Sequence, residues 1–167
     1  ILPWIDDCTR YVLRLTAHQR ITTPIVVAQF HAAIAEHGIP ASTLTDNGMV
    51  FTTRLSGAGR AGGRNKFESQ LRRLNITQKN GRPNHPTTQG KVERFQQTLK
   101  KWLRARGQQP ESISRLQLLL DEFTDEYNNR RPHRSLPHHA TPSALYSRLT
   151  KATPLGFRDH DTHNRVR

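Results

Sequence analysis

Residues 11–18, YVLRLTAH, alternate with a period of two. Tyr11, Leu13, Leu15 and Ala17 fall on one side, and Val12, Arg14, Thr16 and His18 on the other. That alternation predicts a half-buried strand. Further along, Val92, Phe95, Leu99, Trp102 and Leu103 share a stripe at helical spacing, while Gln89, Glu93, Gln97, Lys100 and Arg104 share a polar edge. A chain that switches between these two periods folds as strands alternating with helices, which is an α/β class.

The intervening segments fit that alternation. WIDDCTR adjoins the first strand or begins it. In TTPIVVAQFHAAIAEHG, Thr23 is placed to cap a helix, Pro24 to take its first position and Gly38 to end it. Ile25, Ala28, Phe30, Ala33 and Ile34 line its expected buried side. ASTLT is then a short strand running into Asp46, Asn47 and Gly48. Strand, helix and strand in this order predict a right-handed crossover unit. FESQLRRLN predicts a short helix with Phe67, Leu71 and Leu74 inward, and ITQK one more strand. SISRLQLLLDEFTDEYNNRRPH predicts a long helix through Leu116, Leu119, Leu120, Phe123 and Tyr127, stopping near Pro132. A small helix is expected to begin at Thr141 and Pro142. Residues 56–66 form a Gly-rich basic loop, and NGRPNHPTTQG is another loop of turn residues.

Charge narrows the partner. Against 13 Asp and Glu stand 26 Lys and Arg, a formal net charge of +13. Such an excess predicts a polyanion, and nucleic acid rewards every phosphate neutralised by releasing counterions. No apolar run approaches the roughly 20 residues of a spanning helix, so a membrane is not the expected partner. Cys8 is the sole cysteine, which excludes an internal disulfide and a cysteine-rich zinc site and agrees with a reducing cytoplasm. The chain opens without Met, in apolar residues, and ends without a terminating signal, as a fragment cut at both ends would.

Two acids carry the chemistry. Asp46 sits where a strand ends, the place where open α/β sheets put their ligand sites. Glu93 sits near a helix start behind a loop. Hard oxygen ligands far apart in sequence can meet around a magnesium ion, and two such ions serve phosphodiester chemistry. On spacing alone the plainer readings stay open: an Asx turn at Asp46, and an acid favoured by the helix dipole at Glu93. Asp6 and Asp7 are expected to satisfy backbone or Arg partners at a strand edge. His85, His133, His138 and His139 lack the partners and spacing of a closed zinc site, and His85 reads as a loop residue near DNA. Arg130, Arg131, His133 and Arg134 are either a solvated helix end or a phosphate contact. Trp4 and Trp102 are expected in the core.

STLTDNGMVFTTR, RPNHPTTQGKVERFQQTLKKW and YNNRRPHRSL occur in this order within residues 1–150. Together they resemble the integrase core of bacterial insertion-sequence (DDE-type) transposases, which is similar to the retroviral integrases. The resemblance implies a ribonuclease H-like α/β fold in which an Asp, Asp, Glu triad binds two Mg²⁺ (or Mn²⁺) ions and drives DNA cleavage and strand transfer. It assigns Asp46 as the second acid and Glu93 as the third. It places Gln89 and Lys100 against DNA near the active site. Lys91, Gln97, Arg104, Arg130 and Arg131 complete the expected DNA-binding set. The family works as multimers on paired ends, which implies a homodimer or higher multimer acting on transposon ends and target DNA.

The sequence departs from the family twice. The gap between Asp46 and Glu93 is long, and the loop at residues 56–66 accounts for the excess. The family's first acid lies on a strand before the one that WIDDCTR matches, so Asp6 and Asp7 match the second strand. The first acid is therefore expected to be absent from this chain, and the chain alone inactive. The expected organisation is a core over residues 1–131, truncated at its N-terminus, a C-terminal helical extension over 132–150 and a basic tail over 151–167. A bacterial cytoplasmic, nucleoid-associated location follows. The alternative is a basic DNA-binding remnant without catalysis, separable by metal binding. A ribonuclease H-like nuclease is a third class, separable by strand-transfer products.

Overall fold

The period-two stretch forms a strand, β2 (Val12–Thr16), paired antiparallel with β1 (Leu2–Ile5) in the computed structural model. The structure describes residues 1–54, 56–57, 62–80, 90–107 and 109–154. The alternation along β2 is not regular. Trp4 opposes Arg14 and Ile5 opposes Val12, so Leu13 is an extra residue in the ladder. A bulge of this kind inverts the facing of everything beyond it. Val12, assigned by simple alternation to the polar side, is instead 1% exposed and shares a core with Leu15 and Ala17.

The contacts divide the chain into two units. The first comprises Ile1–Arg20 and Lys91–Thr150, and the second Ile21–Gly90 and Lys151–Arg167.

In the first unit, helices α3 (Gly90–Ala105) and α4 (Ile113–Asp125) bring their apolar stripes together with β2. Phe95, Leu99, Leu120, Phe123 and Tyr127 are buried there, with Trp102, Leu103 and Leu116 packed against them. The rings meet edge to face, with Phe123 centred 5.7 Å from Phe95 and 5.4 Å from Trp102. Ser112 caps α4, its hydroxyl accepting from the Arg115 N–H. A five-residue π turn, Glu126–Arg130, continues α4. The small helix is present as α5 (Pro142–Arg148), capped by Thr141, and its Tyr146 stacks on Tyr11 at 4.3 Å.

The edge of β2 turned toward α4 would expose strand polar groups inside a packed layer. Two amide side chains answer that need. Asn128, buried in the π turn, accepts from the Val12 N–H at 2.9 Å and donates to the Val12 carbonyl at 3.0 Å. Gln117 accepts from the Ala17 N–H at 2.8 Å and donates to the Leu15 carbonyl at 3.0 Å. Each amide imitates one rung of a strand ladder and covers the edge. Asn128→Ala removes both bonds and leaves buried donor and acceptor unsatisfied. It is expected to destabilise the protein by about 2–3 kcal/mol in denaturant unfolding, whereas Asn129→Ala, on an exposed residue, changes it by less than about 0.5 kcal/mol.

The second unit holds helix α1 (Thr23–His37), strand β3 (Ser42–Thr45), helix α2 (Lys66–Arg73) and strand β4 (Thr77–Asn80). The capping residue of α1 is Thr22, one earlier than expected, and no side-chain cap bond forms. Pro24 lies in the first turn, and Gly38 ends the helix at φ 85°. Its buried residues are Val26, Phe30 and Ala33, while Ala28 is exposed. Phe30 and Phe51 both meet Phe67 edge to face. Phe67 and Leu71 are buried as expected, and Leu74 is half-buried. The expected crossover from β2 through α1 to β3 does not describe the pairing. Among the described residues, β2 and β3 belong to separate two-stranded sheets, and the parallel pair is β3 with β4, joined through α2.

Candidate active site

Asp46 follows directly on β3, and its carboxyl group is exposed to solvent. Its Oδ1 accepts from the Gly48 N–H at 2.8 Å, which is an Asx turn. A Cβ at position 48 would stand 2.8 Å from that same Oδ1, so glycine there lets the carboxylate keep its orientation. The following turn is closed by the Gly48 carbonyl, which accepts from the N–H groups of Phe51 and Thr52.

Glu68 clasps the segment beyond this turn. Its carboxylate accepts from Thr52 Oγ1 at 2.7 Å, the Thr53 N–H at 3.2 Å and the Asn65 N–H at 2.8 Å. Asn65 reciprocates as N-cap of α2, accepting from the Glu68 N–H at 2.9 Å. One acid therefore anchors both the start of α2 and the chain leaving the Asp46 turn. Sequence reasoning missed Glu68, although the N-x-x-E spacing ahead of an apolar run is a capping-box signal.

Glu93 lies in the first turn of α3 and is exposed. Gln97, Lys100 and Arg104 are exposed on the same edge of that helix, as the spacing requires. Asp46 belongs to the second unit and Glu93 to the first. Gln89 and His85 lie outside the described residues.

Lys91 is already engaged: its Nζ stands 2.6 Å from Asp7 Oδ2. Asp7 also pairs with Arg10, and Asp6 Oδ2 accepts from Thr9 Oγ1 at 2.6 Å and the Thr9 N–H at 2.8 Å. Both acids thus have the backbone and cationic partners expected of a strand-end turn. Arg130 pairs with Asp125 at 2.7 Å, and the Arg131 guanidinium sits 5.9 Å over the Tyr127 ring. Both arginines are exposed. Trp102 is a packing residue, its Nε1 donating to Glu126 at 2.8 Å. Trp4 is half-buried in β1.

His133 is held below the usual imidazole range, first by burial and then by the charges of Arg10, Arg131 and Arg94. A neighbourhood of three guanidinium groups opposes a dication as well as a proton. Burial likewise raises the Tyr127 phenol above its ordinary value, against the opposing pull of Arg131 and Arg10. Among the described residues no three His, Cys, Asp or Glu side chains gather into a group that could hold a metal ion. Asp46 and Glu93 nonetheless offer the donor type that Mg²⁺ takes, exposed carboxylate oxygens, one or two of which suffice beside water and phosphate. Among the described residues no helix is long and apolar enough to cross a membrane.

Two family models, each described as an integrase core domain, match residues 1–86 and 74–142. The catalytic core of BIV integrase is 23% identical with a TM-score of 0.61, over 87% of this chain and 83% of that one. The HTLV-2 integrase catalytic core, solved in complex with magnesium in a trimeric form, is 19% identical with a TM-score of 0.62, over 86% of this chain and 82% of that one. A simian T-cell lymphotropic virus intasome contains a chain 23% identical with a TM-score of 0.61, over 93% of this chain and 52% of that one. At these identities the likeness to solved structures is one of fold. The family match is broader, since residues 1–86 alone are more than half of the 167, and it runs through both Asp46 and Glu93. The chain belongs to the integrase core domain family and has its ribonuclease H-like α/β fold.

Proposed function

We propose that this chain is the catalytic core of an insertion-sequence transposase, which cleaves DNA at element ends and joins them to target DNA. The observation that carries the reading is the integrase core match across Asp46 and Glu93, both exposed; the Asx turn at Asp46 by itself is the plainer reading. Asp46 and Glu93 hold divalent ions, Mg²⁺ or Mn²⁺, and the magnesium in the HTLV-2 core supports that choice. Bound there, such ions stabilise the attacking and leaving oxygens of phosphodiester transfer. The Asp46 turn keeps its carboxylate oriented before substrate arrives, which spares reorganisation during reaction. Gln97, Lys100 and Arg104 lie along Glu93's edge and hold the DNA backbone, with Gln89 one turn earlier in sequence. Lys91 contributes when DNA phosphate displaces Asp7. Arg130 and Arg131 add further phosphate contacts. The dimeric and trimeric HTLV-2 cores and the intasome relative support a homodimer or higher multimer on paired ends; the location that goes with the reading is a bacterial cytoplasm at the nucleoid.

We assign two acids of this chain to the site, because Asp6 is held by Thr9 and Asp7 lies with Arg10 in the turn after β1 rather than at the exit of β3. Two-ion chemistry calls for a third, bridging acid. This chain by itself therefore binds DNA without joining it.

The DNA path is tested by salt. Every phosphate that a cation no longer neutralises reduces the slope of log K against log salt by roughly 0.9. Lys100→Ala with Arg104→Ala should flatten the slope for duplex DNA by roughly two units. An unchanged slope would move the path to Arg130 and Arg131.

A further inference from the structure

Residues 62–65, ahead of α2, carry Arg64, and the proposed site makes no use of them. This segment and the outer face of α2 together line a recess of about 600 Å³, formed by Gly62, Arg64, Ser69, Arg72 and Arg73. All five residues are exposed, and among the described residues no carboxylate lines the recess.

We infer that this recess is a second DNA contact, taking two or three consecutive backbone phosphates apart from the α3 edge. The placement follows from the helix. Phe67 and Leu71 face the core, which turns Ser69, Arg72 and Arg73 outward at i, i+3 and i+4. The capping box at Asn65 and Glu68 fixes the chain immediately after Arg64. A further bond ties the loop down, with Thr53 Oγ1 donating to the Gly63 carbonyl at 2.7 Å. The three guanidinium groups thus come from a rigid helix and an anchored loop end. Guanidinium is weakly hydrated and presents a planar fork that matches phosphate oxygens. Ser69 Oγ already donates to the Asn65 carbonyl at 2.9 Å, so the arginines carry the contact. Such contacts position DNA without reading sequence.

The inference rests on the chain being a DNA-handling core, and the experiment separates the two. Duplex DNA binding is measured by fluorescence anisotropy across a KCl series. Four proteins are compared: the unaltered chain, R64A/R72A/R73A, R64K/R72K/R73K and K100A/R104A. The alanine triple is expected to flatten the salt slope by roughly two to three units and to weaken low-salt binding at least tenfold. The lysine triple should keep most of the slope. R64A and R73A singly should each remove about one unit, which keeps the test decisive if the triple variant unfolds. A flattened slope in K100A/R104A with no change in any recess variant overturns this inference alone. Flattening in the recess variants only removes the α3 path and leaves the recess standing. Loss of salt-dependent binding in the unaltered chain contradicts both. Retained DNA binding by the alanine triple, with lost binding to an acidic peptide, would assign the recess to a protein partner instead.

Discussion

Supplied with Mg²⁺ or Mn²⁺ and cognate DNA ends, the chain Ile1–Arg167 is expected to yield no strand-transfer product. A longer protein carrying one more acid on an adjoining strand is expected to yield it. In that longer protein Asp46→Asn or Glu93→Gln should each lower the rate on the order of a thousandfold or more, since charge stabilisation at such a site is worth several kcal/mol. Asp6→Asn and Asp7→Asn should leave the rate within a fewfold, because those carboxylates serve Thr9, Arg10 and Lys91. Gel assays of donor-strand joining measure each of these proteins. Robust joining by the short chain would assign Asp6 or Asp7 as the first acid.

The largest expected stability loss is at Phe123. It is 1% exposed and touches Phe95, Trp102 and Tyr127 with ring centroids 5.4–5.7 Å away. Phe123→Ala removes a ring that three others pack on. The cost is about 3–5 kcal/mol, or a fall in Tm of roughly 10 °C. Thermal unfolding followed by circular dichroism reads it directly. Leu118→Ala, on an exposed residue of the same helix, should shift Tm by less than about 2 °C.

Helices α3 and α4 were legible because each buries a stripe whose period survives in the sequence. Phe95 and Leu99 on α3, and Leu120 and Phe123 on α4, are buried where the spacing places them. The Asx turn at Asp46 was legible from three adjacent residues. What escaped depended on register or on distant partners. The extra residue at Leu13 turns Val12 inward, and no alternation rule reveals a bulge. Asn128 and Gln117 look like ordinary polar residues of a helix, and their role emerges only when β2 lies beside them, more than 90 positions away in sequence. Strand partnership was not legible either: among the described residues the parallel pair is β3 with β4, joined through α2, and order along the chain does not say which strands share a sheet. Glu68 carried a local capping signal, but its bonds to the Thr52 hydroxyl and the Thr53 N–H required the folded loop.

Asp46 and Glu93 are proposed to hold the same divalent ions. Iron-mediated cleavage tests this without requiring activity. The chain is bound to duplex DNA, Fe²⁺ replaces Mg²⁺, and ascorbate with peroxide generates hydroxyl radicals at the ion. Backbone cuts are expected around residues 46 and 93 together, suppressed by excess Mg²⁺ and lost at both places in either Asp46→Asn or Glu93→Gln. Cuts at one of the two segments only, or cuts at 46 that persist in Glu93→Gln, would contradict a shared site.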